Sequence, residues 1–353
     1  MVDVRKMSIK ERESYIDVIK SAAIFSIISI HVCGAGILNA VGSSAWLGAF
    51  VWRCVCGAGV PLFFMCSGAL MLSKEELPLK KLWAHYIARL LAALLFYAMM
   101  YKLWHLWEAN DLSADSISFA VREVLLFRHQ THLYYMHIIL LVYAFLPVTR
   151  VFVRKATQNE LKYFLAVWFV LGIIYPTFRG FWPFTLLSGI PLQYLINMSY
   201  AAIGYGVLGY YLHKYPVKNS IAAVSAVIGI VFMFCGTWAL TVRDRLETTV
   251  TSTFLEGMSL GVCLMAFGLY NLFRNADYKN DRIKNIAAFL SKASMFIYFM
   301  HMLVYFILQR LGLSVNLMTP WVSIPLMVLL ILIICAALYI PVSKIPVIKD
   351  WLC

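Results

Sequence analysis

Lys20 and His31 are the residues whose types and spacing most directly allow chemistry. They lie in Tyr15–Cys33, YIDVIKSAAIFSIISIHVC, with Asp17 three positions before Lys20. An α-helix turns about 100° per residue, so the steps from Lys20 to His31 make three turns and a small remainder. Asp17, Lys20 and His31 therefore share one face of an otherwise apolar rod. Ionisable groups are costly in lipid and turn toward a bundle interior or a wet cavity. An imidazole, with an ordinary pKa near ~6.5, can take a proton from a hydroxyl nucleophile and return it near neutral pH. The plainer alternatives are a packed histidine bonded to a carbonyl at His31, and a helix-start residue paired with Lys20 at Asp17.

Other residues extend this set. Ser291, Ser294, Tyr298, His301 and Tyr305 recur at three- and four-residue spacing and form one polar stripe. His301 can act as a second base, proton shuttle or substrate ligand, or can make an interhelical hydrogen bond. His132 opens HLYYM, where rings beside a polar group suit either sugar stacking or an interfacial aromatic belt. Lys20 and Arg89 can hold phosphates of an anionic cofactor, or snorkel to lipid headgroups. Arg53 has no partner apparent in the sequence and reads as functional. Glu256 reads as the acid most clearly inside a late span, able to pair with Arg53 or a histidine. Arg53, Tyr298 and His301 are candidates to stabilise an oxyanion. Cys54 and Cys56 make a CxC rather than the CxxC of a zinc site, so no metal is expected. Neither GxxxxGK[ST] nor HExxH occurs.

The elements that must position these side chains follow from composition. Of 353 residues, 62% are hydrophobic and 13% charged, against about a quarter charged in soluble domains. Apolar runs of roughly twenty residues recur from end to end. They predict an all-α, polytopic membrane protein with about ten transmembrane helices, near 15–38, 46–72, 82–104, 131–149, 161–179, 188–212, 219–241, 253–273, 286–310 and 320–342. The longest hydrophilic connection, 105–130, contains the amphipathic LSADSISFAVREVLLF, expected to lie along the membrane surface. The charged N-terminus and long first run argue against a cleavable signal peptide. No internal repeat or linker divides residues 1–353, so one domain is expected.

The formal charge of +13 reads as cytoplasmic loop charge rather than nucleic-acid binding. With both termini cytoplasmic, the 30 Lys and Arg residues all fall inside except Arg53, Lys102, Arg122, Arg128, Arg179, Arg243, Arg245 and Arg310. Lys20 and Asp17 then sit near the cytoplasmic mouth, with Arg89 in the inner half. His31, ~16 Å further along its helix, joins Arg53, His132 and His301 in the outer half. The expected partners are membrane lipids plus whatever anionic and sugar-like ligands these two levels admit. A glycolipid or polysaccharide transporter or flippase is the alternative, though no inverted repeat or paired broken helices support it.

YIDVIK, followed by ten residues between Lys20 and His31, resembles the acyltransferase-3 family of integral membrane acyltransferases, whose pattern is a basic residue, ten positions and a histidine. VPLFFMCSGALML resembles that family's second helix, and Arg89 in HYIARLLAALLFY a basic residue after it. HLYYMHIILLVYAFLPV resembles its His-Leu-Trp segment, and LSKASMFIYFMHMLVY its late histidine-bearing helix. The resemblance covers nearly the whole chain and is closest to a compact subgroup without an extra periplasmic domain, of the kind that O-acetylates enterobacterial common antigen. It implies transfer of an acyl group, usually acetyl from acetyl-CoA, to a hydroxyl of a cell-envelope polysaccharide, lipopolysaccharide or lipid-linked glycan at the bacterial inner membrane. No permanently bound cofactor is implied. It marks Lys20 and His31 as the central pair, supported by Arg89, His132 and His301. Two positions depart from the pattern: Lys20 stands where Arg is usual, losing bidentate contacts, and Tyr134 where Trp is usual.

Overall fold

The computed structural model describes residues 9–187, 189 and 196–352. Its helices are α1 (Ile9–Ile37), α2 (Ser44–Val55), α3 (Gly59–Leu72), α4 (Leu79–Glu108), α5 (Ala114–Leu125), α6 (Thr131–Lys155), α7 (Gln158–Phe178), α8 (Met198–Lys214), α9 (Asn219–Arg243), α10 (Leu260–Asn275), α11 (Asp281–Arg310), α12 (Pro320–Val342) and α13 (Pro346–Leu352). Eight spans are long and apolar enough to cross a membrane, α2 and α3 counting as one. The two other predicted spans are present as shorter helices: α8, with 17 residues, and α10, with 16. The predicted start of the sixth span, residues 188 and 190–195, lies outside the described residues. No strand occurs among the described residues. The chain is an all-α, multi-pass membrane protein.

α1 is the hub. It packs against α2, α3, α11 and α12, and Ile19, Ala23, Ile24, Ile27 and Ile28 are almost wholly enclosed. A helix apolar all round is stable only inside such a bundle or in lipid. Tyr15 Oη, 2.5 Å from His213 Nδ1 of α8, fixes its inner end. The outer end is tied to the 244–259 connection. Val41 N–H donates to the Glu247 carbonyl (2.8 Å) and Thr249 N–H to that of Ile37 (3.0 Å). The second predicted span is two helices. Ser43 caps α2, the chain turns through Cys56, Gly57 and Ala58, and α3 restarts at Gly59. Pro61 is tolerated there because a first-turn residue needs no intrahelical N–H bond. α3 crosses α8 at backbone contact: a Cβ on Gly68 would stand 1.9 Å from the Gly206 carbonyl oxygen.

The eighth predicted span begins later than its hydrophobicity implies. Residues 251–259 are irregular, with turns and bends from 253 onward, helix starts only at Leu260, and Glu256 is exposed on that connection rather than inside a span. The apolar residues here are buried without being helical. Phe254 packs on Phe178, Phe181 and Phe232, and Ser259 Oγ–H turns back to the Phe254 carbonyl (2.8 Å). The amphipathic segment is helical: α5 runs from Ala114 to Leu125 behind a Ser113 cap.

Candidate active site

Three histidines from three helices converge. His31 comes from the last third of α1, His132 from the short 3-10 turn Thr131–Leu133 that opens α6, and His301 from the outer half of α11. Their ring centroids are 5.3 Å apart for His31–His301, 5.4 Å for His132–His301 and 5.9 Å for His31–His132. His132 is 5% exposed and His301 1%, whereas His31 is half-buried. His301 Nδ1 lies 2.6 Å from the Tyr298 carbonyl oxygen. A carbonyl can only accept, so Nδ1 carries the proton and Nε2 presents a lone pair. That Nε2 and the Nε2 of His132 are buried with no hydrogen-bond partner among the described residues. Buried polar atoms are normally satisfied, so the two atoms stand out as able to take a hydroxyl or other polar group as partner.

Aromatic residues hold the cluster in shape. Tyr298 Oη–H donates to the His132 carbonyl, which pins the turn carrying His132 and engages the hydroxyl expected as an oxyanion donor. Tyr101 lies edge-on to His132 at 4.9 Å. Its hydroxyl donates to the Phe299 carbonyl (2.7 Å) and accepts from Leu303 N–H (3.1 Å), joining α4 to α11. Nothing in the sequence marks Tyr101 beyond its place in the Tyr97–Tyr101–His105 spacing. Tyr305, one turn beyond His301, also has a buried hydroxyl without a partner among the described residues. Arg53, in the last turn of α2, contributes to the field at both His31 and Tyr134. Its Nη2–H reaches the Leu255 carbonyl at 3.4 Å. Arg53 forms no ion pair among the described residues, so of the partners open to Glu256, Arg53 is not taken; the Arg53 contact is to the carbonyl of the residue beside Glu256.

The other predicted residues form a second, inner group. Asp17 and Lys20 are half-buried and act electrostatically on Cys66 of α3. The next residue, Ser67, bonds with Tyr143 of α6, which also feels Arg89. Arg89 follows a π-helical stretch, Leu82–Ile87, a feature frequent at functional positions. Its Nε is buried without a partner among the described residues. The structure thus separates Lys20 from His31 by ~16 Å along α1 and gives each its own surroundings. Among the described residues, no group of three or more His, Cys, Asp or Glu is arranged to hold a metal ion. The described cysteines Cys33, Cys54, Cys56, Cys66, Cys235, Cys263 and Cys335 are all free thiols.

No curated protein and no solved structure matches the chain. The family profile described as an acyltransferase domain does match, over residues 13–340. That interval contains α1 through nearly all of α12, and with them both polar levels. Histidines gathered inside a membrane bundle suit the proton transfers that acyl transfer to a hydroxyl requires. The chain belongs to the acyltransferase-3 family of membrane acyltransferases.

Proposed function

We propose that the chain transfers acetyl from acetyl-CoA to a hydroxyl of a cell-envelope polysaccharide or lipid-linked glycan at the bacterial inner membrane. The convergence of His31, His132 and His301 carries this reading, with the buried lone pair of His301 at its centre. In this reading the phosphates of acetyl-CoA meet Lys20 and Arg89 at the cytoplasmic end. The pantetheine arm runs along α1 toward the histidines, and the acceptor enters from the outer side past half-buried His31. An imidazole Nε2, from His31 or His301, takes the hydroxyl proton as the oxygen attacks the thioester carbonyl. The tetrahedral oxyanion forms within the field of Arg53. Its collapse breaks the carbon–sulfur bond, and the imidazolium returns its proton to the departing CoA thiolate. Asp17 supports the donor-side charges. Tyr298 positions His132, and Glu256 flanks the outer entrance.

The experiment is incubation of purified protein with acetyl-labelled CoA and isolated envelope glycan. Label on glycan hydroxyls, abolished in His31→Ala and His301→Ala proteins that still insert, is the expected result. Movement of glycolipid across vesicles without labelling would replace the enzyme with a flippase.

A further inference from the structure

A second group of histidines lies outside the triad, at the outer end of α4. Lys102 and His105 are three residues apart on that helix and so lie on one face. His105 Nδ1 lies 3.2 Å from Glu108 Oε2, and its Nε2 meets the side-chain amide of Gln130. One residue away, His129 stacks on His137 of α6, with ring centroids 5.3 Å apart and planes at 16°. Phe127 covers both rings, at 5.6 and 5.5 Å. It does so from the left-handed backbone region, φ 58°, which an aromatic residue adopts only under constraint. Neither ring nitrogen of His129 has a hydrogen-bond partner among the described residues, although both are buried. Lys102 contributes to the field at His129 and has no ion pair among the described residues. The one acid touching the group, Glu108, is taken by His105.

An ammonium whose field reaches His129 and two stacked imidazoles, one with both ring nitrogens unpartnered, thus lie together where no acid among the described residues is paired with the ammonium. The complement of such a group is an anion with several acceptor oxygens. Its depth identifies which anion. Trp107, Leu125, Leu126 and Phe127 are exposed around it, the composition of a belt at the level of lipid headgroups. We propose that Lys102, His129 and His137, with the second amide hydrogen of Gln130, form a binding site for the phosphate of a membrane lipid at the outer face. Two lipids present that phosphate: a phospholipid, and a polyprenyl-type carrier bearing a glycan. His129 is three residues from His132, a span of at most ~11 Å. A carrier phosphate held here would leave its first sugars at the histidine triad. That placement deepens the acyltransferase reading and rests on it, whereas the phosphate site itself does not.

The test is lipid binding to the full chain in detergent, by native mass spectrometry, without acyl donor. Farnesyl phosphate, farnesol and phosphatidylglycerol are the probes, and Lys102→Gln, Lys102→Arg and His129→Leu the variants. Farnesyl phosphate affinity is expected to fall at least about ten-fold in Lys102→Gln and His129→Leu, to persist in Lys102→Arg, and to leave farnesol binding unchanged. The same pattern for phosphatidylglycerol with farnesyl phosphate unaffected also establishes the phosphate site, and assigns it to the headgroup. Unchanged affinities, or an equal loss for farnesol, overturn it. The unsubstituted protein gives an independent readout. Farnesyl phosphate, but not farnesol, is expected to move the His129 side-chain nitrogen resonances toward the protonated form, because a bound anion favours imidazolium. No movement counts against the site. Loss of glycan labelling in the acyl-transfer experiment would leave both measurements standing.

Discussion

The closeness of His31 and His301 makes a quantitative prediction. General acid–base catalysis by one positioned side chain contributes about 10²- to 10⁴-fold. Two histidines acting at separate steps would multiply, so that losing both would cost roughly 10⁴- to 10⁸-fold. Their ring centroids are 5.3 Å apart, and His132 lies within 6 Å of each. At that separation one substrate hydroxyl is served by the whole cluster, and groups acting as a unit are strongly non-additive. We therefore expect His31→Ala and His301→Ala each to lower kcat about 10²- to 10⁴-fold, and the double variant to be no worse than about ten-fold below the more damaged single one. The assay is transfer of labelled acetyl to glycan under saturating donor, with membrane-inserted protein matched by amount and thermal midpoint. His301→Asn serves as a control for the volume that alanine removes. Multiplying effects would refute the unit, and a fully active His301→Ala protein would remove its lone pair from the chemistry.

Three further outcomes follow from particular contacts. Tyr298→Phe leaves the His132 carbonyl without its donor; stability is expected to fall by about 1–3 kcal/mol, read as the thermal midpoint in detergent, together with a drop in transfer rate as the His132 turn loosens. Gly68→Val places a branched side chain against the Gly206 backbone, which no rotamer change relieves, so a loss at the upper end of about 1–3 kcal/mol is expected; an unchanged midpoint would contradict the close crossing of α3 and α8. The connection 126–130 is expected to open as pH falls. Burial first, then His137 and Lys102, pushes the His129 pKa down from 6.5 to about 4. Between those values the unfolded loop binds more protons than the folded one, so acidification favours opening. Faster amide exchange at residues 126–130 at pH 5 than at pH 7 is the expected result, and equal protection refutes the burial of His129.

Much of the fold is legible because lipid imposes a simple code. A spanning segment must satisfy its own backbone and present apolar side chains, so long apolar runs mark α1, α4, α6, α9, α11 and α12 without ambiguity. That code fails where protein rather than lipid covers the chain. Phe254, Leu255 and Met258 are as apolar as any span residue, yet they are buried by neighbouring helices in a turn-rich segment. For that reason hydropathy alone puts Glu256 inside a span, whereas it lies exposed on the connection. The break at Gly57 is silent in the sequence for a related reason: α2 and α3 are both apolar, and periodicity does not register a turn between them.

The candidate site divides along the same line. Sequence alone determined which side chains are out of place in lipid: Asp17, Lys20, His31, Arg53, Arg89, His132, Tyr298 and His301 all stand out because polar groups in apolar helices need a reason to be there. The spacing within α1 also determined that Lys20 and His31 sit at different depths, since helical rise is fixed. Only the tertiary structure decided which of these residues meet. Helix packing brings His31, His132 and His301, which are hundreds of residues apart at the extremes, into one cluster, and gathers Lys20 and Arg89 around α3. It also directs the Tyr298 hydroxyl to a backbone carbonyl and leaves the His301 lone pair unpartnered. The rotation of each helix about its axis sets these pairings, and that rotation is fixed by contacts between helices, such as Gly68 on Gly206, that no single helix encodes.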